Sequence, residues 1–162
     1  MTTRPFTILA KTDDDKQWIN DWLSGGGATY IISCMRKLYP ADLPGLVAED
    51  ADGNRVGLLT YEIIGDQCEV VTLDAFNQWS GIGTALMARA REIAVDAGCK
   101  RLWLITTNDN VDAIRFYQKR GLMIATVHVN GLEQYRTLKP MIPNIGNYGI
   151  PLRDAIEFEM WL

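Results

Sequence analysis

The spacing of apolar and polar residues predicts strands and helices in a definite order. Residues 13–27 predict an amphipathic helix, because aspartates open the segment, apolar side chains recur at helical spacing and three glycines end it. Apolar runs predict four strands, at 28–35, 45–50, 55–64 and 68–76. An Asp-Gly step between the second and third runs predicts a hairpin turn, so this half is expected to be mostly antiparallel.

The second half alternates helical and strand-like patterns. It predicts a long helix over about 82–97, a strand at 101–107, a shorter helix over about 110–120 and a strand at 122–129. Residues 139–151 are rich in proline and glycine and predict a loop, and the alternation in 152–162 predicts a final half-buried strand. This order favours a parallel β-α-β pairing beside the antiparallel half.

Length, composition and charge narrow the class of protein. The 162 residues suit one domain, and 48% hydrophobic with 22% charged residues is ordinary globular composition. No run approaches the roughly 18 apolar residues needed to cross a bilayer, and no apolar segment precedes the acids at 13–15, so no membrane association and a cytoplasmic location are expected. A net charge of −4 argues against nucleic-acid binding and weakly favours a cationic substrate.

Cysteine and histidine give little sign of metal or thiol chemistry. Cys34, Cys68 and Cys99 are an odd number at wide spacing, and all three are interpreted as buried structural thiols. The single histidine, His128, lies in a strand-like stretch with no Cys or His neighbour, so a half-buried strand residue is expected. No metal is predicted.

Two glycines, Gly81 and Gly83, stand between a buried strand and the long helix. Unpaired amides at a helix N-terminus, the positive end of its dipole and missing side chains together predict a cradle for an anion, with a purely structural turn as the alternative. A P-loop is excluded because no lysine lies between Lys37 and Lys100. A Rossmann fingerprint is excluded because Leu86 replaces its third glycine.

Two motifs resemble the GNAT superfamily of acetyl-CoA-dependent N-acetyltransferases. Gln78, Gly81 and Gly83 match the signature Q/R-x-x-G-x-G/A of that family. Its second pattern is matched by Asn110, Ala113, Phe116, Tyr117, Gly121 and Leu122. The resemblance is specific from about residue 69 to residue 129.

The resemblance implies one α/β (α+β) domain over residues 1–162. Its expected core is a central mixed, mostly antiparallel sheet with splayed central strands, flanked by helices. Acetyl-CoA would be the co-substrate, with the main chain of Leu73 pairing with its pantetheine arm. The segment implied to bind the pyrophosphate comprises Gln78, Trp79, Ser80, Gly81, Ile82, Gly83 and Thr84.

The same resemblance implies roles for three residues of the second motif. Asn110 would hydrogen-bond the pantetheine arm, Phe116 would line the coenzyme site and Tyr117 would protonate the leaving sulfur. The sequence departs from the common pattern at Trp79, where many members have glycine, and at Gln78, where many have arginine. Phosphate binding would therefore depend on backbone amides more than on a formal charge.

Amine acetylation needs a proton acceptor, since an alkyl ammonium has a pKa of about 10.4. Glu69 is the candidate base, because it lies four residues before Leu73 and is expected on the same strand face. Some family members carry a glutamate at the corresponding place. Glu62 is the reserve candidate, and a solvent-facing carboxylate without a catalytic role is the alternative for Glu69.

Several of these residues have a structural alternative. Tyr117 shares a helix face with Phe116, so core packing is one reading of it. Asn110 could cap its helix, and Trp18 and Trp22 have the spacing of core residues.

The sequence as a whole predicts transfer of acetyl from acetyl-CoA to a primary amine by direct attack. The amine would belong to a small molecule or a peptide, and its identity is not predicted. A catalytically silent acyl-CoA sensor or interaction module of the same fold is the alternative. The apolar final strand could extend the sheet into a second copy, so a homodimer is also expected.

Overall fold

The structure, a computed structural model, describes residues 5–76 and 80–162. Its strands are β1 Phe6–Ala10, β2 Ile31–Ser33, β3 Arg36–Leu38, β4 Gly45–Asp50, β5 Arg55–Ile64, β6 Gln67–Ala75, β7 Arg101–Thr107, β8 Met123–His128 and β9 Ala155–Trp161. The helices are α1 Lys16–Ser24, α2 Ile82–Asp96, α3 Val111–Lys119 and α4 Gly131–Leu138. None of the helices in these two ranges has the length and apolar character required to cross a bilayer.

Seven strands form the central sheet in the order β1-β4-β5-β6-β7-β9-β8, and β2 and β3 form a separate hairpin. Every neighbouring pair in the large sheet is antiparallel except β6 and β7, which α2 connects in parallel. The predicted mixed, mostly antiparallel sheet is therefore confirmed. Strands β7 and β8 do not pair directly, because β9 lies between them.

Helix α2 packs on one face of the sheet because its apolar side chains lie on one side. The residues that it buries are Ile82, Leu86, Met87, Ala90 and Ala94. A Cβ at Gly57 of β5 would lie 2.6 Å from Cγ2 of Ile82, so bare backbone there lets the helix approach the strand. Helix α3 covers the same face and contributes Tyr117 to the main core.

The opposite face of the sheet is covered by three smaller elements. Ile19 of α1 packs with Val47 and Leu58, and α4 packs with the β2–β3 hairpin through Leu132 and Ile32. The sheet therefore has an α2/α3 face and an α1/α4 face.

Three elements were not predicted from the sequence. They are β1, β3 and α4. Strand β1 is an edge strand with most side chains exposed, and α4 has only eight residues, so neither has a strong apolar pattern. The predicted strand at 28–35 is shorter, because Cys34 and Met35 adopt φ values of 46° and 63° and turn the chain back into β3.

Two further expectations need correction. Strand β9 pairs on both sides, so the predicted extension of the sheet through the final strand is wrong, and β8 is the edge strand instead. Cys34 is exposed, whereas Cys68 and Cys99 are buried as predicted. His128 is half-buried at the end of β8, as expected, with Nε2 3.2 Å from a carboxylate oxygen of Glu157.

Candidate active site

Strands β6 and β7 pair only near their starts, and the gap between the remaining lengths of these two strands is here called the cleft. Their parallel pairing is confined to Gln67–Glu69 and Arg101–Trp103. Beyond these residues β6 continues to pair with β5 on its other side, up to Ala75. Leu73 lies in this stretch, and the backbone edge of β6 that does not pair with β5 faces the cleft. At this edge the family resemblance implied that a pantetheine arm would pair with the main chain of Leu73.

The N-terminus of α2 lies at the end of this cleft. Gly81 adopts a left-handed φ of 82° before the helix, and Ala85 makes the first helical hydrogen bond, to the Gly81 carbonyl at 3.0 Å. The amides of Ile82, Gly83 and Thr84 thus have no acceptor inside the helix, and they form the positive end of its dipole. This geometry suits an anionic group such as a pyrophosphate.

Gly81 and Gly83 are each required to be glycine, but for different structural reasons. A Cβ at Gly81 would meet nothing within 4 Å, so its glycine is required by the backbone conformation. A Cβ at Gly83 would lie 3.3 Å from two atoms of the Phe116 ring. Gly83 therefore lets α3 approach the first turn of α2, and Phe116 lies at that turn.

Arg120 brings a positive charge to the same turn, and the sequence did not predict it. Its Nε donates to Oγ1 of Thr84 at 3.0 Å, and its guanidinium lies 3.5 Å from the Phe116 ring centroid. The predicted phosphate site therefore has a formal positive charge beside its backbone amides. The signal was present, because Arg120 follows Phe116 by four residues and so faces the same way from the helix end.

Tyr117 is buried, and its surroundings agree both with core packing and with a role as general acid. Its ring packs against Phe116 and Phe158, with centroids 5.5 Å and 5.7 Å away. Burial raises the pKa of the phenol, and the charge of Asp74 raises it further. The phenol thus stays protonated at neutral pH, as a general acid must.

Asn110 occupies the N-cap position of α3, but its side chain makes no capping hydrogen bond. The amide nitrogen donates instead to Oγ1 of Thr106 on β7, at 3.2 Å. The neighbouring Asp109 is buried and accepts from the backbone amide of Asn147 at 2.8 Å. The predicted capping cluster therefore holds the loop before β9 against the start of α3.

Glu69 is buried, with only 3% of its surface exposed, so the solvent-facing alternative is wrong. One carboxylate oxygen accepts a hydrogen bond from Ser33 Oγ, and the other accepts from Arg36 at 2.6 Å. Arg36 also donates to Glu62 at 2.6 Å. Burial raises the pKa of Glu69, and the bonds from Ser33 and Arg36 offset this only in part.

A β-bulge at Val71 changes which face of β6 Glu69 occupies. Leu73 pairs with Leu59 and Glu69 pairs with Glu62, which lie on opposite faces of β5 because they are three residues apart. The expectation that Glu69 shares a face with Leu73 is therefore wrong. Glu69 points to the α1/α4 face, where the β2–β3 hairpin and α4 close around it.

The predicted tryptophans form an aromatic cluster on that face. Phe76, just after β6, lies 5.8 Å from Trp18 and 4.3 Å from Trp22, measured between ring centroids. Trp22 is 46% exposed, so the prediction of core packing fails for this residue.

The structure describes only part of the segment that the resemblance implied to bind the pyrophosphate. Gln78 and Trp79 lie outside the described residues, whereas Ser80 to Thr84 lie at the start of α2.

Among residues 5–76 and 80–162, no group of three His, Cys, Asp or Glu side chains could hold a metal ion.

Comparisons with known proteins agree with this geometry. The model of the acetyltransferase (GNAT) family matches residues 12–122. The uncharacterized protein YdhI of Bacillus subtilis (strain 168) is 40% identical over 152 residues, which cover 93% of this chain and 95% of that protein.

Solved structures share the fold at low identity. A Bacillus subtilis acetyltransferase in complex with CoA matches with a TM-score of 0.71 and 19% identity, over 98% of this chain and 99% of that one. A GNAT acetyltransferase from Elizabethkingia anophelis with acetyl-CoA bound matches with a TM-score of 0.70 and 19% identity, over 97% and 98%. The fold is thus that of an acetyltransferase. With the family match covering more than half of the sequence, the chain belongs to the GNAT family.

Proposed function

We propose that this protein transfers the acetyl group of acetyl-CoA to a primary amine of a small molecule or peptide, without a metal and without a covalent enzyme intermediate. The observation that carries the proposal is the cleft between β6 and β7, which has the N-terminus of α2 at its end and the buried Tyr117 beside it. The cleft can hold an extended arm along Leu73 and an anionic group at the helix.

Each part of the substrate has a complementary partner. The amides of Ser80 to Thr84 and the guanidinium of Arg120 bind the pyrophosphate, and Gln78 and Trp79 are proposed to contribute as the sequence predicted. Phe116 lines the coenzyme site, and the amide of Asn110 bonds the pantetheine arm. A backbone amide near Leu73 stabilises negative charge on the acetyl oxygen.

The reaction is balanced as follows. The protonated amine gives one proton to a base, and its nitrogen attacks the carbonyl carbon of the thioester. The carbon–sulfur bond breaks, the sulfur takes the phenol proton of Tyr117, and the second amine proton is lost as the amide forms. Tyr117 then recovers a proton, so one proton is released overall. Glu69 is the proposed base and Glu62 the reserve.

The Tyr117→Phe variant tests this proposal. It keeps the ring contacts with Phe116 and Phe158 but removes the acidic proton, so turnover should fall about 10²-fold, the low end for general acid catalysis, because a thiol of pKa about 8.5 is already a tolerable leaving group. Thiol release is measured with acetyl-CoA and a panel of amines that includes spermidine, an aminoglycoside, lysine and short peptides.

Calorimetry with coenzyme A provides the control. The affinity should change less than twofold in Tyr117→Phe, since the ring remains in place. Full turnover in the variant would show that Tyr117 packs in the core and does not donate a proton in the reaction. Coenzyme binding without thiol release for every amine would favour the sensor, and absence of coenzyme uptake would overturn the proposal. The cytoplasmic location and the homodimer stay predictions of the sequence.

A further inference from the structure

Asp74 occupies a position in the cleft to which the reaction above assigns no role. It pairs with Leu58, so its side chain lies on the α1/α4 face of β6, as does that of Glu69. It follows Leu73 directly, and neighbouring Cα atoms are about 3.8 Å apart. Its carboxylate therefore stands beside the stretch where the acetyl group is proposed to lie.

Asp74 differs from most of the shielded carboxylates because no cation among the described residues lies beside it. Asp109 also lacks a cation, but both of its carboxylate oxygens accept hydrogen bonds, from Thr107 and from the amide of Asn147. The shielded acids that contact an arginine are Asp15, Glu62, Glu69, Asp154, Glu157 and Glu159. Within the described ranges no lysine or arginine forms an ion pair with Asp74, which is half-buried. Burial raises its pKa, and only a hydrogen bond from the Trp22 side chain acts in the opposite direction.

The wall next to Asp74 is aromatic and open to solvent. Trp22 is 46% exposed and packs against Phe76, with the two ring planes tilted by 55°. The same cluster already accepts a cation at its other end, where the Arg55 guanidinium lies 5.5 Å from the Trp18 ring centroid. Aromatic faces attract cations through their quadrupole, and a carboxylate shielded from water attracts a cation more strongly than an exposed one.

We propose that Asp74, with the ring of Trp22, binds the protonated ammonium group of the acceptor. This inference rests on the proposed function and makes it narrower, because it assigns two residues to bind the ammonium group with which the reaction begins. Asp74 supplies the counter-charge and Trp22 contacts the adjoining methylene groups. A neutral molecule of the same shape gains neither the charge–charge nor the cation–π attraction.

A ligand-observed NMR titration tests the proposal without knowledge of the natural acceptor. The probe is n-butylammonium, and 1-butanol is its uncharged counterpart. Wild-type protein should bind the ammonium at least about 10-fold more tightly than the alcohol, because the alcohol gains neither the charge–charge attraction to Asp74 nor the cation–π attraction to Trp22. In Asp74→Asn this preference should disappear.

Two further variants make the result specific. Asp66→Asn removes an exposed carboxylate from the turn before β6, near the opposite end of the same strand, and should bind the probe like wild type. Trp22→Leu removes the exposed ring, should weaken ammonium binding several-fold, and serves as the test if Asp74→Asn fails to fold. Coenzyme A calorimetry on each variant shows whether the cleft is intact.

Equal affinity for n-butylammonium in wild type and in folded Asp74→Asn would overturn the inference, as would equal affinity of wild type for the amine and the alcohol. Failure of the proposed function gives a different result. In that case the ammonium preference depends on Asp74, but no amine in the panel releases thiol from acetyl-CoA.

Discussion

The surroundings of Glu69 have opposite effects on its pKa. Burial disfavours its charge and raises its pKa, while Ser33 and Arg36 bond both carboxylate oxygens and favour the charge. Arg36 also bonds Glu62, so the two candidate bases share one guanidinium. Removing a single side chain from this group therefore changes both the proton acceptor and the charge balance around it.

The Glu69→Gln variant should lower kcat/KM at pH 7 by about 10²-fold, within the usual range for a general base. A base acts only when ionised, and the raised pKa of Glu69 places the acidic limb of the wild-type profile at a higher pH than for an ordinary glutamate. In the variant the rate instead follows the free amine, whose pKa is about 10.4, so the optimum should move upward.

A pH–rate series on both proteins makes this measurement. Glu92→Gln is the matched control, because Glu92 is an exposed carboxylate on α2 whose ion pair, within residues 5–76 and 80–162, is with the exposed Arg89. The control should keep the wild-type profile. If Glu69→Gln also keeps it, Glu69 has no part in proton transfer.

Helix α1 is tied to the sheet by Asp15, which precedes it. Asp15 accepts from the backbone amide of Thr12 at 2.9 Å and from Nε of Arg55, on β5, at 2.8 Å. Burial raises the pKa of Asp15, but the bonds from Thr12 and Arg55 outweigh burial and lower it overall. This contact orients the helix that presents Trp22 to the cleft.

Replacing Asp15 with Asn should reduce the free energy of unfolding by about 1–3 kcal/mol at pH 7, since charge-assisted bonds to a buried group are lost. The lowered pKa means that the ionised form stabilises the fold above the unfolded-state value of about 3.9, and that this stabilisation fades as the pH falls through the lower folded-state value.

Urea denaturation at pH 7 and at pH 3 measures the difference. Asp14→Asn, at an exposed neighbour, should change stability by less than about 0.5 kcal/mol at either pH. The difference in free energy of unfolding between wild type and Asp15→Asn should be smaller at pH 3 than at pH 7. A larger difference at pH 3 would contradict the assignment of the pKa shift to the Arg55 and Thr12 bonds.

At the scale of the whole molecule, the two faces of the sheet contain different parts of the proposed site. Helices α2 and α3 meet on one face at Gly83 and Phe116, and there they form the proposed coenzyme site. Helices α1 and α4 and the β2–β3 hairpin cover the other face, where Glu69 and Asp74 lie. The proposed substrates therefore meet in the cleft between β6 and β7, from opposite sides of the sheet.

Coenzyme A should stabilise the whole fold, because its proposed site joins α2, α3 and β6. Free ligand at 100 times its Kd adds about 2.7 kcal/mol to the stability of a protein that binds it only when folded. For a chain of this size that corresponds to a Tm increase of roughly 5–10 °C. Thermal unfolding with and without coenzyme A measures it.

Cysteamine is the control for this experiment, since it carries the thiol without the pyrophosphate. It should leave the Tm unchanged at the same concentration. No increase at any concentration of coenzyme A would argue against the anion site at the start of α2.

Local patterns predicted much of the fold. Helix α2 and strands β4, β5 and β7 match their predicted spans within a residue or so, because their apolar side chains repeat with the period of the element. Strand β3 and helix α4 were missed, because short elements depend on the surfaces that they cover. The seven-stranded order also requires β9 to enter between β7 and β8, which no local pattern encodes.

The amino-acid sequence by itself determined the family, the glycine-led start of α2 and the helix that carries Tyr117, because these are encoded by residues close together in the chain. Only the tertiary structure decided that the bulge at Val71 turns Glu69 away from the face of Leu73, and that Asp74 has no ion-pair partner among the described residues. Both depend on contacts between strands and helices far apart in sequence, where register and packing, not local preference, set which groups meet.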